Sequence, residues 1–271
     1  MISKVKKLVR FFAEKSKKPI LFNDRFGNSF LLYKDIDNLS VYKKRKSVTD
    51  AINIINYLNK TLDGGLCFDI GANIGGVSVA IKKNIQERGF LVAVEPDPKN
   101  TCRVIQNLMQ NGFLDQYHVF QFAVSDVKAD LDLKVFPKAN GWQTIGLPVN
   151  HMKGKYYESI KIKTVTFPDL VRILNFDGKR IELVKIDVEG AELNVLTSMR
   201  SLLEKEFVGR VIFEVSDLTL EGFGHTKEML INFWSSLNYT LHVIRDTGDL
   251  ELLDDVNLAE EVHFDCVALL K

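Results

Sequence analysis

Apolar positions change their period along this chain, and the changes mark its elements. In residues 2–12, "ISKVKKLVRFF", Ile2, Val5, Leu8, Val9 and Phe12 recur at helical spacing with Lys4, Lys6, Lys7 and Arg10 between them, the pattern of an amphipathic basic helix. Such a helix either packs on the domain with its lysines in solvent or lies against a membrane surface or a partner. "PILFNDRFGNSFLLY", residues 19–33, predicts two short strands around a turn from Asn23 to Ser29. The basic run "YKKRK", 42–46, reads as solvated surface ahead of Ser47–Asp50, a capping-box-like start for a helix through about Leu58.

From Leu66 the pattern settles into strands alternating with helices: "LCFDI", a helix from about 75, "FLVAVE", a helix from 98, "YHVFQFAV", a polar excursion, "IELVKIDV", a helix from about 190, and "RVIFEV". Strands apolar almost throughout and separated by helices imply a parallel sheet covered on both faces, an α/β fold. After a helix at about 226–237, "YTLHVIRD" and "HFDCVALL" are joined by a short acidic connection, which predicts a final antiparallel pair. One domain over 47–271 follows, behind an N-terminal extension of residues 1–46.

Composition narrows the class. The 271 residues are 46% hydrophobic with a formal net charge of +1, so a substantial core is available and no nucleic-acid footprint is expected for the chain as a whole. No apolar run approaches the ~18–20 residues that span a bilayer, and the first 18 residues lack the features of a signal peptide; a cytoplasmic protein is the expectation. The three cysteines, Cys67, Cys102 and Cys266, lack metal-type spacing and fall in strand or helix patterns, as buried small hydrophobes do.

The chemistry gathers at the strand ends. In "CFDIGANIGGVSVAIKK", a strand ending in Asp69 feeds a turn carrying Gly71, Asn73, Gly75 and Gly76. A ligand lies outside the carboxyl ends of such strands, so Asp69 and the turn are expected to face it. A dinucleotide fingerprint wants glycine where Asn73 stands, and Asp69 adds negative charge near where phosphates would lie. A cationic adenosine ligand without phosphate, S-adenosylmethionine, suits the stretch better. Glu95, before Pro96, stands where an acid accepts hydrogen bonds from ribose hydroxyls, a job common to NAD and S-adenosylmethionine. Asp97 reads as a helix cap with Pro98 at the first turn. Phe122 and Ala123 are candidates for an adenine slot, alongside a turn-forming reading of Ser125–Asp126.

"KIDVEGAE" crowds Lys185, Asp187, Glu189 and Glu192 onto one strand end and helix start; Glu192 reads as a first-turn acid, and Asp187 and Glu189 as candidates for chemistry. Glu214 ends the next strand. Trp142, within a long connection over 140–159 that reads as a lid or hairpin, either presents an apolar face to a sugar ring or plugs the core. Of five histidines, His225 is the candidate for a substrate role.

Together "FDIGANIGGVS", "VEPDP", "AVSD", "NGWQTIG" and "KIDVEGAELNVL" resemble the FkbM family of S-adenosylmethionine-dependent methyltransferases, from about residue 66 to the C-terminus. The resemblance implies a Rossmann-like sheet of seven strands, mostly parallel with the last antiparallel, and helices on both faces. It implies methyl transfer to a hydroxyl of a sugar, glycan or secondary metabolite. Carried over by position, Asp69, Gly71, Asn73 and Gly75 form the first cofactor motif, Glu95 the ribose acid, and Asp187, Glu189 and Gly190 the signature beside the methyl group. Two stretches depart from the family: Thr166–Asp169 stands where relatives often carry "TLDD", and the first 46 residues match nothing in the pattern. For the chemistry, Asp187 or Glu189 would act as base, with Glu214 orienting and Lys185 stabilising the charges. Alternatives are Mg²⁺ held by Asp187, Glu189 and Glu214, a noncatalytic adenosine-binding scaffold, and an NAD oxidoreductase, which Asn73 and the lack of a hydride-site pairing disfavour.

Overall fold

The protein, seen in a computed structural model, is described over residues 18–33, 37–136, 143–148 and 154–271. The basic helix expected at 2–12, Trp142 and His151 lie outside these residues.

The expected hairpin forms from β1 (Ile20–Asn23) and β2 (Ser29–Leu32), antiparallel with Ile20 opposite Leu32. Its turn is an Asx turn: Asp24 Oδ1 accepts from Phe26 N at 2.9 Å and Asn28 N at 2.8 Å. The basic run is at the surface as expected, with Lys43, Lys44 and Lys46 exposed. It closes helix α1 (Leu39–Arg45), whose last turn carries Lys43, Lys44 and Arg45 beside the unpaired carbonyls, where positive charge complements the helix dipole. Ser47, however, does not cap a helix. Ser47 Oγ accepts from Thr49 N and Thr49 Oγ1 from Ala51 N, each at 3.2 Å. These local bonds satisfy the hydroxyls in turns, and α2 begins later, at Ile52–Thr61.

The main sheet holds eight strands in the order β12-β11-β13-β10-β9-β3-β4-β5. These are β3 (Gly65–Ile70), β4 (Gly89–Val94), β5 (Tyr117–Phe120), β9 (Ile181–Ile186), β10 (Val208–Ser216), β11 (Tyr239–Ile244), β12 (Leu250–Leu252) and β13 (His263–Leu270). β3, β4, β5, β9 and β10 run parallel, and β13 lies antiparallel between β10 and β11. The antiparallel C-terminal pair is thus present, with one short edge strand, β12, beyond the seven expected. The order reverses between β3 and β9, which places the crevice above that pair.

Each parallel strand alternates its side chains between two cores, because successive residues point to opposite faces. Cys67, Leu183, Ile212 and Val267 enter one core, packed by α2, α3 (Gly76–Ile85) and α4 (Pro98–Gln110); Phe68, Val184, Phe213 and Cys266 enter the other, packed by α5 (Phe167–Ile173) and α6 (Glu192–Glu204). All three cysteines are free and buried. Asp97 caps α4 as expected, accepting from Lys99 N at 2.8 Å, and Thr166 caps α5.

The stretch expected as one strand over 117–124 divides: β5 stays in the main sheet while β6 (Ala123–Val124) joins β7 (Asp130–Val135) and β8 (Glu158–Val165) in a small sheet of order β6-β8-β7. The N-terminal hairpin shares the main core rather than standing apart. Phe30 and Leu32 are fully buried beside α4, Asn107 Oδ1 accepts from Leu31 N at 2.9 Å, and Arg103 meets buried Asp37 at 2.7 Å.

Candidate active site

β3 delivers the chain to the turn above the reversal point, and the turn is packed tightly enough to require its glycines. Gly71 has φ +80, and a Cβ on it would stand 1.8 Å from Asp187 O on the neighbouring strand end. Asn73 adopts φ +51, which asparagine tolerates better than most residues. Its N–H donates to Glu95 Oε2 at 2.8 Å and its Oδ1 accepts from Asn100 at 3.2 Å. Glu95 Oε1 accepts from Asp97 N at 2.9 Å, so one carboxylate ties the end of β4 to the turn.

Asp69 does not face the ligand crevice. In register with Ala93 and Lys185, two residues short of Glu95 and Asp187, it lies beneath the glycine turn, fully buried, where Ser78 Oγ donates to its Oδ2 at 2.5 Å and Lys185 Nζ lies 3.2 Å from its Oδ1. Lys185 is almost as buried, donates to Gly71 O at 3.0 Å and lies 3.3 Å from Asp187. Burial works against its charge, yet Asp187 and Asp69 outweigh burial and hold the ammonium above the ordinary lysine range. The pair Asp69–Lys185 is therefore a buried strut under the site.

Above it lies a cavity of about 410 Å³, within the usual span of small-molecule sites, about 300–1,000 Å³. Gly71, Asn73, Glu95, Pro96, Phe122, Ala123, Lys185, Asp187, Glu189 and Glu214 all line it. Gly75 does not, though its neighbour Gly76 does, and His225 stands apart, 3.4 Å from Gly190 O and stacked on Phe223. The β4 side is apolar, with Phe122 stacked on Phe120 at 5.2 Å; the β9 and β10 side is acidic. A second cavity of about 620 Å³ shares Asp50, Asp187, Glu214 and His263 with the first and extends past Asn53, Arg245 and Asp265.

The acidic side is electrostatically crowded. Burial foremost, then Asp187, Glu192 and Asp50, push the Glu189 carboxyl well above its usual range. Burial and then Asp187, Glu189 and Glu192 do the same to Glu214. Burial lifts Glu95 to about 8, Glu192 to about 7 and Asp265 to about 6. Glu192 is the turn's lock: its Oε1 accepts from Val188 N at 3.0 Å and Gly190 N at 3.2 Å, which holds Glu189 at φ +56. Among the described residues, no three His, Cys, Asp or Glu side chains are grouped to hold a metal ion, and no helix is long and apolar enough to cross a membrane.

Arg45, Thr49 and His263 are among the lining residues that local patterns missed. His263 lies 3.6 Å from Glu214, because β13 pairs antiparallel with β10, setting His263 opposite Ser216 and Asp265 opposite Glu214. The period-two pattern His263, Asp265, Val267 was the available signal; its partner strand was not.

These residues fit S-adenosylmethionine. A flat apolar slot with Glu95 suits adenosine, the glycine turn admits close backbone approach, and crowded carboxyls favour a sulfonium and an ammonium. The same crowding predicts pH behaviour. Each raised carboxyl keeps its proton to higher pH when folded than when unfolded. Its contribution to stability is complete below about pH 4.5 and is lost as pH rises toward 8. Thermal melts of the free protein should therefore fall across this window, while S-adenosylmethionine gains affinity over S-adenosylhomocysteine, which lacks the sulfonium. A ratio of the two affinities that stays flat between pH 6 and 8 would count against cation binding there.

A family model, the methyltransferase FkbM domain, matches residues 69–241. Methyltransferase sdnD of Sordaria araneosa is 31% identical over 153 residues, covering 47% of this chain and 58% of that protein. Methyltransferase 1 of Beauveria bassiana is 28% identical over 169 residues, covering 57% and 66%. The chain thus spans less than two thirds of the length of either relative. Among solved structures, an O-methyltransferase from Bacillus cereus in complex with SAH is similar at 11% identity and a TM-score of 0.47, covering 85% of this chain and 88% of that one. The family model covers well over half of the chain and includes the glycine turn, Glu95 and the "KIDVEGAE" stretch, so the protein belongs to the FkbM methyltransferase family.

Proposed function

We propose that the protein transfers the methyl group of S-adenosylmethionine to a hydroxyl of a sugar, glycan or secondary metabolite, acting in the cytoplasm. What supports this most is the union of two cavities at Asp187, Glu214 and His263: one suits an adenosyl donor, and the other leaves room for an acceptor on the acidic side. Family membership supports the reaction class.

Glu95, Phe122 and Ala123 would hold the adenosine, and the Gly71–Asn73 turn the amino-acid portion. When bound, the donor supplies an electrophilic methyl carbon. Glu189, which lines the donor cavity, would take the proton of the acceptor hydroxyl once ionised, its raised pKa making it more basic than an ordinary carboxylate. Glu214 orients the acceptor. Lys185 would hold the strand ends together through Asp187 and Gly71 O. Alignment of acceptor and donor contributes most, up to about 7–11 kcal/mol in favourable cases.

Calorimetry should show S-adenosylmethionine and S-adenosylhomocysteine binding in preference to NAD. Incubation with methyl-labelled donor and extract of the source organism should yield a labelled, alkali-stable ether. Tight donor binding with no label transferred would instead favour the noncatalytic scaffold.

A further inference from the structure

We propose that Arg45, at the end of α1 and outside the region the family model matches, binds the carboxylate of the amino-acid portion of S-adenosylmethionine. The inference rests on the reading of the cavity as the methyl-donor site.

The chain around Arg45 is held against the glycine turn. Lys46 takes a left-handed conformation, φ +56, and its N–H caps α1 at Tyr42 O; Arg25 N donates to Lys46 O at 2.8 Å. Val48 and Thr49 then press on Gly76, the first residue of α3, where an added Cβ would meet Thr49 Cβ at 3.0 Å. Arg45, Thr49 and Gly76 all line the cavity.

Three cationic or basic side chains line that cavity among the described residues: Lys185, His263 and Arg45. Lys185 is engaged beneath the turn by Asp69, Asp187 and Gly71 O. His263 lies beside Glu214, across the sheet. Among the described residues, Arg45 has one ion pair, with Asp50 at 3.7 Å, beyond hydrogen-bond length, and the Asp50 side chain is 84% exposed. An exposed pair of that kind binds weakly. A guanidinium carries five donors in a fork that matches a carboxylate.

The donor's charges match this division. Its sulfonium and ammonium suit the carboxyls of the β9 and β10 side, and its carboxylate needs donors of its own. Arg45, lining the same cavity as Gly76 and Val77 of the first turn of α3, supplies them together with the free N–H groups of a helix start. A role confined to the dipole of α1 would not require this side chain in the cavity, since Lys43 and Lys44 share that last turn.

Calorimetry on the wild type, Arg45→Ala and Arg45→Lys separates the cases, using S-adenosylhomocysteine and 5′-methylthioadenosine, which lacks the amino-acid portion. Arg45→Ala should weaken S-adenosylhomocysteine by about 10- to 100-fold, the worth of a hydrogen bond to a charged group, and leave 5′-methylthioadenosine unchanged. Arg45→Lys should fall between. Equal losses for both ligands, or none for either, would overturn the assignment. Wild-type protein that binds neither ligand would defeat the cofactor reading itself, a distinct result. Melting curves of both variants establish that they fold.

Discussion

Lys185→Ala should cost the fold about 3–5 kcal/mol, measured by urea unfolding, because it leaves buried carboxylate unpaired. Asp69 is wholly inside the protein, and its charge is met only by the Ser78 hydroxyl and the Lys185 ammonium. The same substitution frees Gly71 O, where a change in the turn propagates to Asn73 and Glu95. Donor affinity should therefore fall along with stability. Asp69→Ala should behave similarly, acting through the strut and not through contact with the donor. The double variant Asp69→Asn with Lys185→Met removes both charges and should recover a large part of the loss. A Lys185→Ala protein as stable as the wild type would show that Asp69 is not held as a buried ion.

Glu189→Gln should lower the methyl-transfer rate by about two to four powers of ten, the typical contribution of a positioned base. Its S-adenosylhomocysteine affinity should change little. In the wild type the rate should climb with pH through the raised pKa of this carboxyl, since only the ionised form accepts a proton; the variant should lack that limb. Asp187→Asn is expected to act differently, because Asp187 shares Lys185 with Asp69: part of its cost should appear as lost stability. Full activity in Glu189→Gln would move the base elsewhere, and His263, which lines both cavities, would be the next residue to test.

Much of the site was legible because it is built at strand ends. Glu95 and Asp187 follow apolar runs, and a parallel sheet sends every such end to the same edge. Asp69 stops short of that edge. Register pairs Asp69 with Ala93 and Lys185, two residues short of Glu95 and Asp187, so it keeps their phase and lies one full pleat deeper. The capping-box reading failed at Ser47 and Thr49 for a local reason, since short hydroxyl side chains can satisfy a turn as readily as a helix start.

The sequence by itself determined the α/β alternation, the glycine turn after β3, the Asp97 cap and the family. Each of these is carried by a period or a motif a few residues long, where backbone geometry leaves few alternatives. Only the tertiary structure decided that Asp69 and Lys185 form a strut, that β13 brings His263 to Glu214, that the N-terminal hairpin shares the core, and that Arg45 reaches the cavity wall. Those contacts join residues far apart in the chain, so they follow from how sheet order and burial bring distant segments together, which no local pattern encodes.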